Sequence, residues 1–459
     1  MPNTFIQFPA SIQTILQNGV IERVYKETLM KNLLFLNSAT AKEHTGDKGE
    51  TVKIPKKGLL KTSRTPTPAA TDPLPQNYDR ESFSITVEDF DETIDTSLSA
   101  SFMTSQNLFV DDTQALAINA GETLNRLVRQ ALYRPYNCGH THATAAGTSS
   151  TSLPVNSING FTHVMVDGVF MPVSANNPLA IKVGGVAVNV IGAVASETNQ
   201  NSQALQHGPG VLTLDEAVDS WAQYAAVDSY FAPVIIRSGA RASSDAILAG
   251  DKITPSLLRK ARARLKKMGV KPFGDGCYHA HLDPVAMGDF FDNEEIKNYA
   301  TGNLSAEEIQ QGVIAKLMGV KFFENEYCPD VDNLDDYSDA AAIDEVGGTV
   351  TTHAGVNVRR SIILGQGALD ERYVDQNQIF AQAGNNHNSK IGSFSVGSNS
   401  VQQVHNKIAH VIRPPMDRKG KLISSTWSFT GGWGSQTDSL TGDAAYYKRA
   451  VIIEHAISE

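Results

Sequence analysis

Residues 253–284 read ITPSLLRKARARLKKMGVKPFGDGCYHAHLDP, and the rest of the chain is organised around this stretch. Thr254 suits an N-cap and Pro255 the first helical position, where a missing N–H costs nothing. Leu257, Leu258, Ala261, Leu265 and Met268 recur at helical spacing, and Gly269 stops the run. Pro272, Gly274 and Gly276 break the chain before a short extended run, Cys277–Leu282, which ends at Asp283–Pro284. A capped amphipathic helix, a turn and a buried strand make one packing unit.

The same stretch holds the best candidates for chemistry. His279, His281 and Asp283 form an H-x-H-x-D pattern. Alternate strand residues share a face, so two imidazoles and a carboxylate could meet one metal, as in a metal-dependent hydrolase. The further His/Asp clusters that such a site needs are missing, since His353, His387, His405 and His410 lack that context. The bland reading, a structural strand, is favoured. Eight Lys or Arg lie within 252–271, among them Arg259, Lys260, Lys266 and Lys267. Because that helix also has a clean apolar face, its basic face is expected to meet an acidic surface rather than DNA. The acidic residues Asp330, Asp332, Asp335 and Asp336 supply one, in the same or a neighbouring subunit. They lack the Gly and terminal Glu of a calcium loop. Cys138, His140 and His142 have ligand chemistry, but a Gly/Thr/Ala-rich loop has little to hold them in place. Nucleotide-binding, serine-hydrolase and zinc-protease motifs are missing. No catalytic, cofactor or metal residue is expected.

Composition narrows the class further. The 459 residues are 41% hydrophobic and 19% charged, which describes a folded protein of about two to four domains. A net charge of −10 argues against wholesale nucleic-acid binding by a basic surface. Three scattered cysteines make neither a disulfide framework nor a four-ligand zinc site. The N-terminus carries no signal-peptide pattern, and no apolar run approaches the ~18–20 residues that cross a bilayer. A soluble chain made in the cytoplasm is expected.

Outward from the opening stretch, residues 1–48 read as an arm with one short apolar stripe, Val20, Ile21, Val24, Tyr25 and Leu29. Residues 49–98 read as two strands joined by a long proline-rich tip. Neither segment holds enough apolar surface to order itself, so both are expected to pack on an external partner. Residues 108–133 form the longest helical stripe, closed by Pro135. From 137 to 215 the chain is rich in Gly, Ser, Thr, Asn and Val, with hairpin signals at Asp167–Gly168 and Gly184–Gly185; an all-β insertion is expected. Asp215–Tyr230 reads as helix and Val234–Ile236 as strand. A second helix over Ser305–Met318, the strand Val320–Phe323, an acidic loop and the strand Val358–Leu364 follow. Leu422–Phe429 and Tyr446–Ile457 read as strands.

This order resembles the major capsid protein of tailed bacteriophages, the Hong Kong 97-type α+β fold. The residues that carry the resemblance are LLRKARARLKKMG, YHAHLDP, the run Leu317–Asn325 leading to Pro329, and RRSIILGQGAL. The helix–LDP arrangement looks most like the capsid proteins of N4-like podophages. The resemblance covers most of 1–136 and 240–459 and implies an arm (1–48), an extended two-stranded loop (49–98) and a peripheral domain with a spine helix (99–136). It further implies an insertion domain (137–215), a connection (216–250), an axial domain (251–405) and peripheral return strands (406–459). The function implied is structural: self-assembly through hexamers and pentamers into an icosahedral shell around double-stranded DNA. A scaffolding protein, a portal and a decoration protein would be its partners, the virion its location and the host cytoplasm its place of assembly. Arg259, Lys260, Lys266, Lys267, Asp335 and Asp336 become subunit-contact candidates. The rival readings are the metal-dependent hydrolase and an encapsulin-type cellular shell of the same fold.

Overall fold

In the computed structural model of the chain, the described residues are 8, 10–44, 51–57, 72, 80–103, 108–166, 169–196, 208–296, 316–329, 356–382, 389–391, 394–396, 400–405, 407–415, 417–436 and 448–457. The fold mixes helices with sheets and divides into two compact units. One comprises Met1–Lys53, Ser84–Val128 and Asp370–Gly434; the other comprises Ile54–Phe83, Arg129–Leu369 and Ser435–Glu459.

The arm opens with helices α1 (Ala10–Gln17) and α2 (Val20–Asn32), with Gly19 between them in the left-handed region at φ +65°. Ile21, Tyr25 and Leu29 of the expected stripe are fully buried. The cover is not external, as expected, but intramolecular: Ile21, along with Phe8 and Leu16, packs with Phe109, Val401, Ile412 and Ile423, and Tyr25 stacks on His410 with ring centroids 4.3 Å apart. Those residues come from distant parts of the chain, so no local pattern announces them. After strand β1 (Thr40–Glu43), β2 (Thr51–Lys57) and β3 (Arg80–Thr86) form a two-stranded sheet of their own. The returning chain then leaves this flap as β4 (Glu88–Ser97).

Helix α3 (Leu98–Met103) leads to α4 (Leu108–Asn137), 30 residues and so about 45 Å long. It runs past Pro135, which was expected to end it, because a proline in the last turn removes only one ladder bond. Ala117, Ala120, Leu124 and Val128 make its buried stripe.

Eight strands follow: β5 (His140–His142), β6 (Gly147–Val155), β7 (His163–Val166), β8 (Val169–Pro172), β9 (Leu179–Val183), β10 (Val186–Ala195), β11 (Gly210–Trp221) and β12 (Ala226–Ser229). Both hairpins stand where the turn signals put them, with Val166 opposite Val169 and Val183 opposite Val186. Six strands pair in the order β5-β12-β9-β10-β11-β6 over a core that includes Leu153, Ile181, Leu212 and Trp221. The helix expected over 215–230 is instead the end of β11 and all of β12. Its helical spacing has a specific origin: the β11–β6 register jumps between Thr213 and Val218. This bulge puts buried residues at Leu214, Val218 and Trp221, an i, i+4, i+7 series on a strand.

The opening stretch folds as read. Strand β13 (Ile235–Arg237) precedes helix α5 (Pro255–Lys267), then β14 (Tyr278–Leu282) and α6 (Pro284–Phe291). Thr254 has N-cap backbone geometry, although its side chain makes no capping bond. Gly269 at φ +75° closes α5 in a Schellman motif, with Val270 N–H donating to Leu265 O and Gly269 N–H to Lys266 O. Asp283 does more than end the strand: its carboxylate accepts from Val285 N–H at 3.0 Å and caps α6. Of the helix expected at Ser305–Met318, residues 305–315 lie outside the described residues and Lys316–Leu317 is a short strand, β15. Strands β16 (Val320–Glu324) and β17 (Val358–Leu364) stand where read.

The tail holds strands within both stretches read as such, 422–429 and 446–457, together with others that were not read. Strand β18 (Asp370–Tyr373), helix α7 (Gln376–Gln382) and strands β19 (Ser389–Ile391), β20 (Phe394–Val396), β21 (Val401–His405), β22 (Ile408–Arg413) and β23 (Leu422–Gly434) all lie in the first unit. Their sheet runs β1-β18-β23-β22-β21-β20-β19, with β4 also paired along β23. The last strand, β24 (Ala450–Ala456), does not return to that sheet. It lies in the second unit, in the order β13-β24-β17-β14-β16-β15. Every residue of β24 is buried, and a strand buried on both faces needs an interior place covered on each side.

Candidate functional site

On α5, Leu257, Leu258, Ala261 and Leu265 turn into the core with Tyr278, Ala280, Val320 and Ile363. The polar face left over is basic, and its cations do not act as one group. Arg259 is held by Glu295, with Nη1 at 2.5 Å from Oε1 and Nη2 at 3.2 Å from Oε2. Lys266 is exposed and lines no cavity described here. Lys260, Arg264 and Lys267, at i, i+4 and i+7, share a stripe that faces β13 across a cavity of about 560 Å³.

The opposite wall of this cavity is formed by Ile235, Arg237 and Arg241. Each of those two arginines has an acidic partner: Arg237 Nε lies 2.7 Å from Oε2 of Glu454, a carboxylate it shares with Arg360, and Arg241 Nε lies 2.7 Å from Asp251 Oδ2. Lys260, Arg264 and Lys267 have no ion-pair or side-chain hydrogen-bond partner among the described residues. The arrangement is a concave cationic surface suited to holding an anionic group, with no nucleophile or general base among its lining residues. Of the four basic contact candidates, Lys260 and Lys267 converge here and Arg259 and Lys266 do not. Asp335 and Asp336 lie outside the described residues.

The histidine strand does not assemble a metal site. His279 stacks on Phe273 with ring centroids 3.9 Å apart, and its Nε2 lies 3.3 Å from Asp275 Oδ2. Burial pushes its pKa down, against the opposing pull of Asp275. The fully buried His281 stacks on Phe323 at 5.1 Å, and its Nδ1 faces the Asn325 amide at 3.4 Å. Burial, aided by the charge of His279, pushes its pKa to about 3. Asp283 serves the α6 cap. Cys138, His140 and His142 are also separately engaged: Cys138 Sγ–H donates to Pro135 O, His140 lies between Asp228 and Pro233 O, and His142 packs on Tyr224. Among the described residues no group of three or more His, Cys, Asp or Glu is arranged to hold a metal.

Three residues at this end of the second unit were missed in the sequence. Arg237 and Arg241 belong to IIRSGAR, where a strand runs straight into two spaced arginines. Glu454 was readable as the lone acid inside the otherwise apolar run AVIIEHA. It is wholly buried; burial alone would raise its carboxyl, but Arg237, Arg360 and their hydrogen bonds outweigh that and hold it at about 2.

No protein-family model matches the chain, and no curated protein matches it. Among solved structures, the chain is similar to the capsid of Ralstonia phage GP4 (TM-score 0.47, 10% identity, covering 92% of this chain and 88% of that one). It is similar to the Cyanophage Pam1 capsid asymmetric unit at TM-score 0.49 and 12% identity, covering 92% of each chain. The capsid structure of the Cyanophage P-SCSP1u shares 11% identity at TM-score 0.46, covering 93% of this chain and 89% of that one.

Proposed function

We propose that this chain is a structural, non-enzymatic major capsid subunit that self-assembles into an icosahedral shell around the double-stranded DNA of a tailed phage. The observation that carries the proposal is the flap: β2 and β3 pair with each other and, among the described residues, with no third strand. A two-stranded ribbon is marginal in water. Phe83 and Ile85 of this one are buried within the chain, but Thr51, Lys53, Pro55, Ser82 and Ser84 are left exposed, a face and an edge for a neighbouring subunit to cover. The arm makes no such demand, since its apolar face is covered within the chain.

The order of arm, flap, long helix, β insertion, packed helix–strand centre and returning strands gives the reading its second support. In it the first unit takes the peripheral role, and the second takes the axial role together with the insertion. Hexamers and pentamers of the chain form the shell in the host cytoplasm, with scaffolding, portal and decoration proteins as partners in the virion. A net charge of −10 suits a wall that encloses DNA without gripping it.

Electron microscopy of the expressed chain, with light scattering, tests this. Closed particles tens of nanometres across are expected. A clean monomer at high concentration, across salt conditions and with scaffold supplied, would sink the proposal.

A further inference from the structure

The cavity between β13 and α5 combines two unused binding features. Lys260, Arg264 and Lys267 offer three positive charges that no described acid neutralises. Beside them, β13 is the edge of its sheet among the described residues, paired there to β24 on one side only. An unpaired strand edge next to a cationic stripe fits an extended acidic peptide, whose backbone can add to the edge while its carboxylates meet the cations. A volume of about 560 Å³ takes a few side chains of such a peptide.

The chain itself carries such a peptide. Between 330 and 345 lie Asp330, Asp332, Asp335, Asp336, Asp339, Asp344 and Glu345, with no Lys or Arg. This segment starts after Pro329, beyond β16, and β16 stands four strand positions from β13 in the sheet. At ~4.8 Å per strand, β16 and β13 are about 19 Å apart across the sheet, so it is the assembling role proposed above, and not this distance, that assigns the segment to a second copy. A surface on one side meeting a different surface on the next copy is a head-to-tail contact, the kind that closes rings.

We infer that the β13–α5 groove receives the acidic segment 330–345 of a second copy of this chain, an inference that rests on the assembling role proposed above. The carboxylates of that segment lie along Lys260, Arg264 and Lys267, and its backbone extends the sheet at β13.

The test is a fluorescence-anisotropy titration. A labelled peptide of residues 329–346 is added to the full chain carrying Asp332, Asp335, Asp336 and Asp339→Asn, so that its own segment does not compete. A DNA duplex of about 20 base pairs is titrated in parallel. The peptide should bind, more weakly as salt rises, and the combined Lys260→Gln, Arg264→Gln and Lys267→Gln variant should weaken it about tenfold. No peptide binding, or equal binding by both proteins, overturns the inference. So does duplex binding that falls in the variant while peptide binding does not, which would make the groove a nucleic-acid site. If the triple variant melts early, a charge exchange replaces it: Lys260→Glu with Lys267→Glu, probed by peptides with and without Asp335→Lys and Asp336→Lys. Preference for the lysine peptide supports the inference, and lack of preference overturns it. Micrographs of the same proteins separate the two proposals. Shells from parent and variant alike, with no difference in peptide binding, defeat the groove alone. Peptide binding without any shell leaves the groove standing and defeats the capsid reading.

Discussion

Arg360 and Glu454 stand directly opposite one another on β17 and β24, and Arg360 Nε donates to Glu454 Oε1 at 2.8 Å with both side chains buried. Arg237 and the Ser244 hydroxyl take the other oxygen, at 2.7 and 2.8 Å. A carboxylate buried so completely tolerates its place only because every lone pair in reach has a donor. Glu454→Gln leaves two buried guanidiniums short of a counter-charge, and a loss of about 3–5 kcal/mol is expected. Urea unfolding followed by circular dichroism measures it. A loss under about 1 kcal/mol would mean that the pair is solvated in solution.

Acid should weaken the fold in two steps. Burial holds His281 and His410 at about 3 and His455 at about 4, so the folded chain keeps them neutral. Unfolded, they take up protons near pH 6.5. Their contribution is therefore complete above about pH 6.5 and is lost progressively as pH falls towards 3. Glu454, held at about 2 against an ordinary value of 4.5, adds a second loss below about pH 4.5. Thermal midpoints from pH 8 to pH 4 should fall with a slope that flattens when His281, His410 or His455 is replaced singly by Gln. Unchanged slopes would place the acid sensitivity elsewhere.

The helix–turn–strand at 253–284 was legible because each of its signals is local: Pro255 at a start, Gly269 at a stop, and apolar residues at one period. The hairpins at 167–168 and 184–185 were legible for the same reason. What escaped were relationships between distant residues. The bulge in β11 makes Leu214, Val218 and Trp221 mimic a helix, and only the β6 register reveals it. The arm hides its partner because Val401, Ile412 and Ile423 are supplied by late strands. The basic face of α5 was plain, but its division into Arg259 with Glu295 on one side and Lys260, Arg264 and Lys267 on the other depends on β13.

Gly432 shows how closely β3 and β23 approach at the base of the flap. A Cβ built there would lie 1.9 Å from the Thr86 carbonyl oxygen and 3.1 Å from Ile85 Cγ2. The obstacle is backbone, so it cannot step aside by changing rotamer. Gly432→Ala should cost about 1–3 kcal/mol and speed amide exchange across Arg80–Thr86. The control is Gly274→Ala, where nothing lies within 4 Å of the added carbon; its effect should stay within about 0.5 kcal/mol. Equal effects at the two sites would show that the contact at Gly432 relaxes freely.

Trp427 ties β23 to the long helix. Its indole is fully buried, and Nε1–H donates to Asn119 Oδ1 at 2.9 Å. Asn119 is the acceptor and is itself exposed, so Asn119→Ala removes the bond while letting water approach the donor, and a cost of about 0.5–1.5 kcal/mol is expected. Trp427→Phe removes that donor along with part of the ring, so its own cost is one of packing. If the hydrogen bond is what couples the two residues, the double variant should be less damaged than the sum of the singles, by about 0.5–1.5 kcal/mol. Denaturant midpoints of the four proteins close this cycle. Strict additivity would mean that water replaces Asn119 as acceptor, and that the helix is held to the sheet by apolar packing alone.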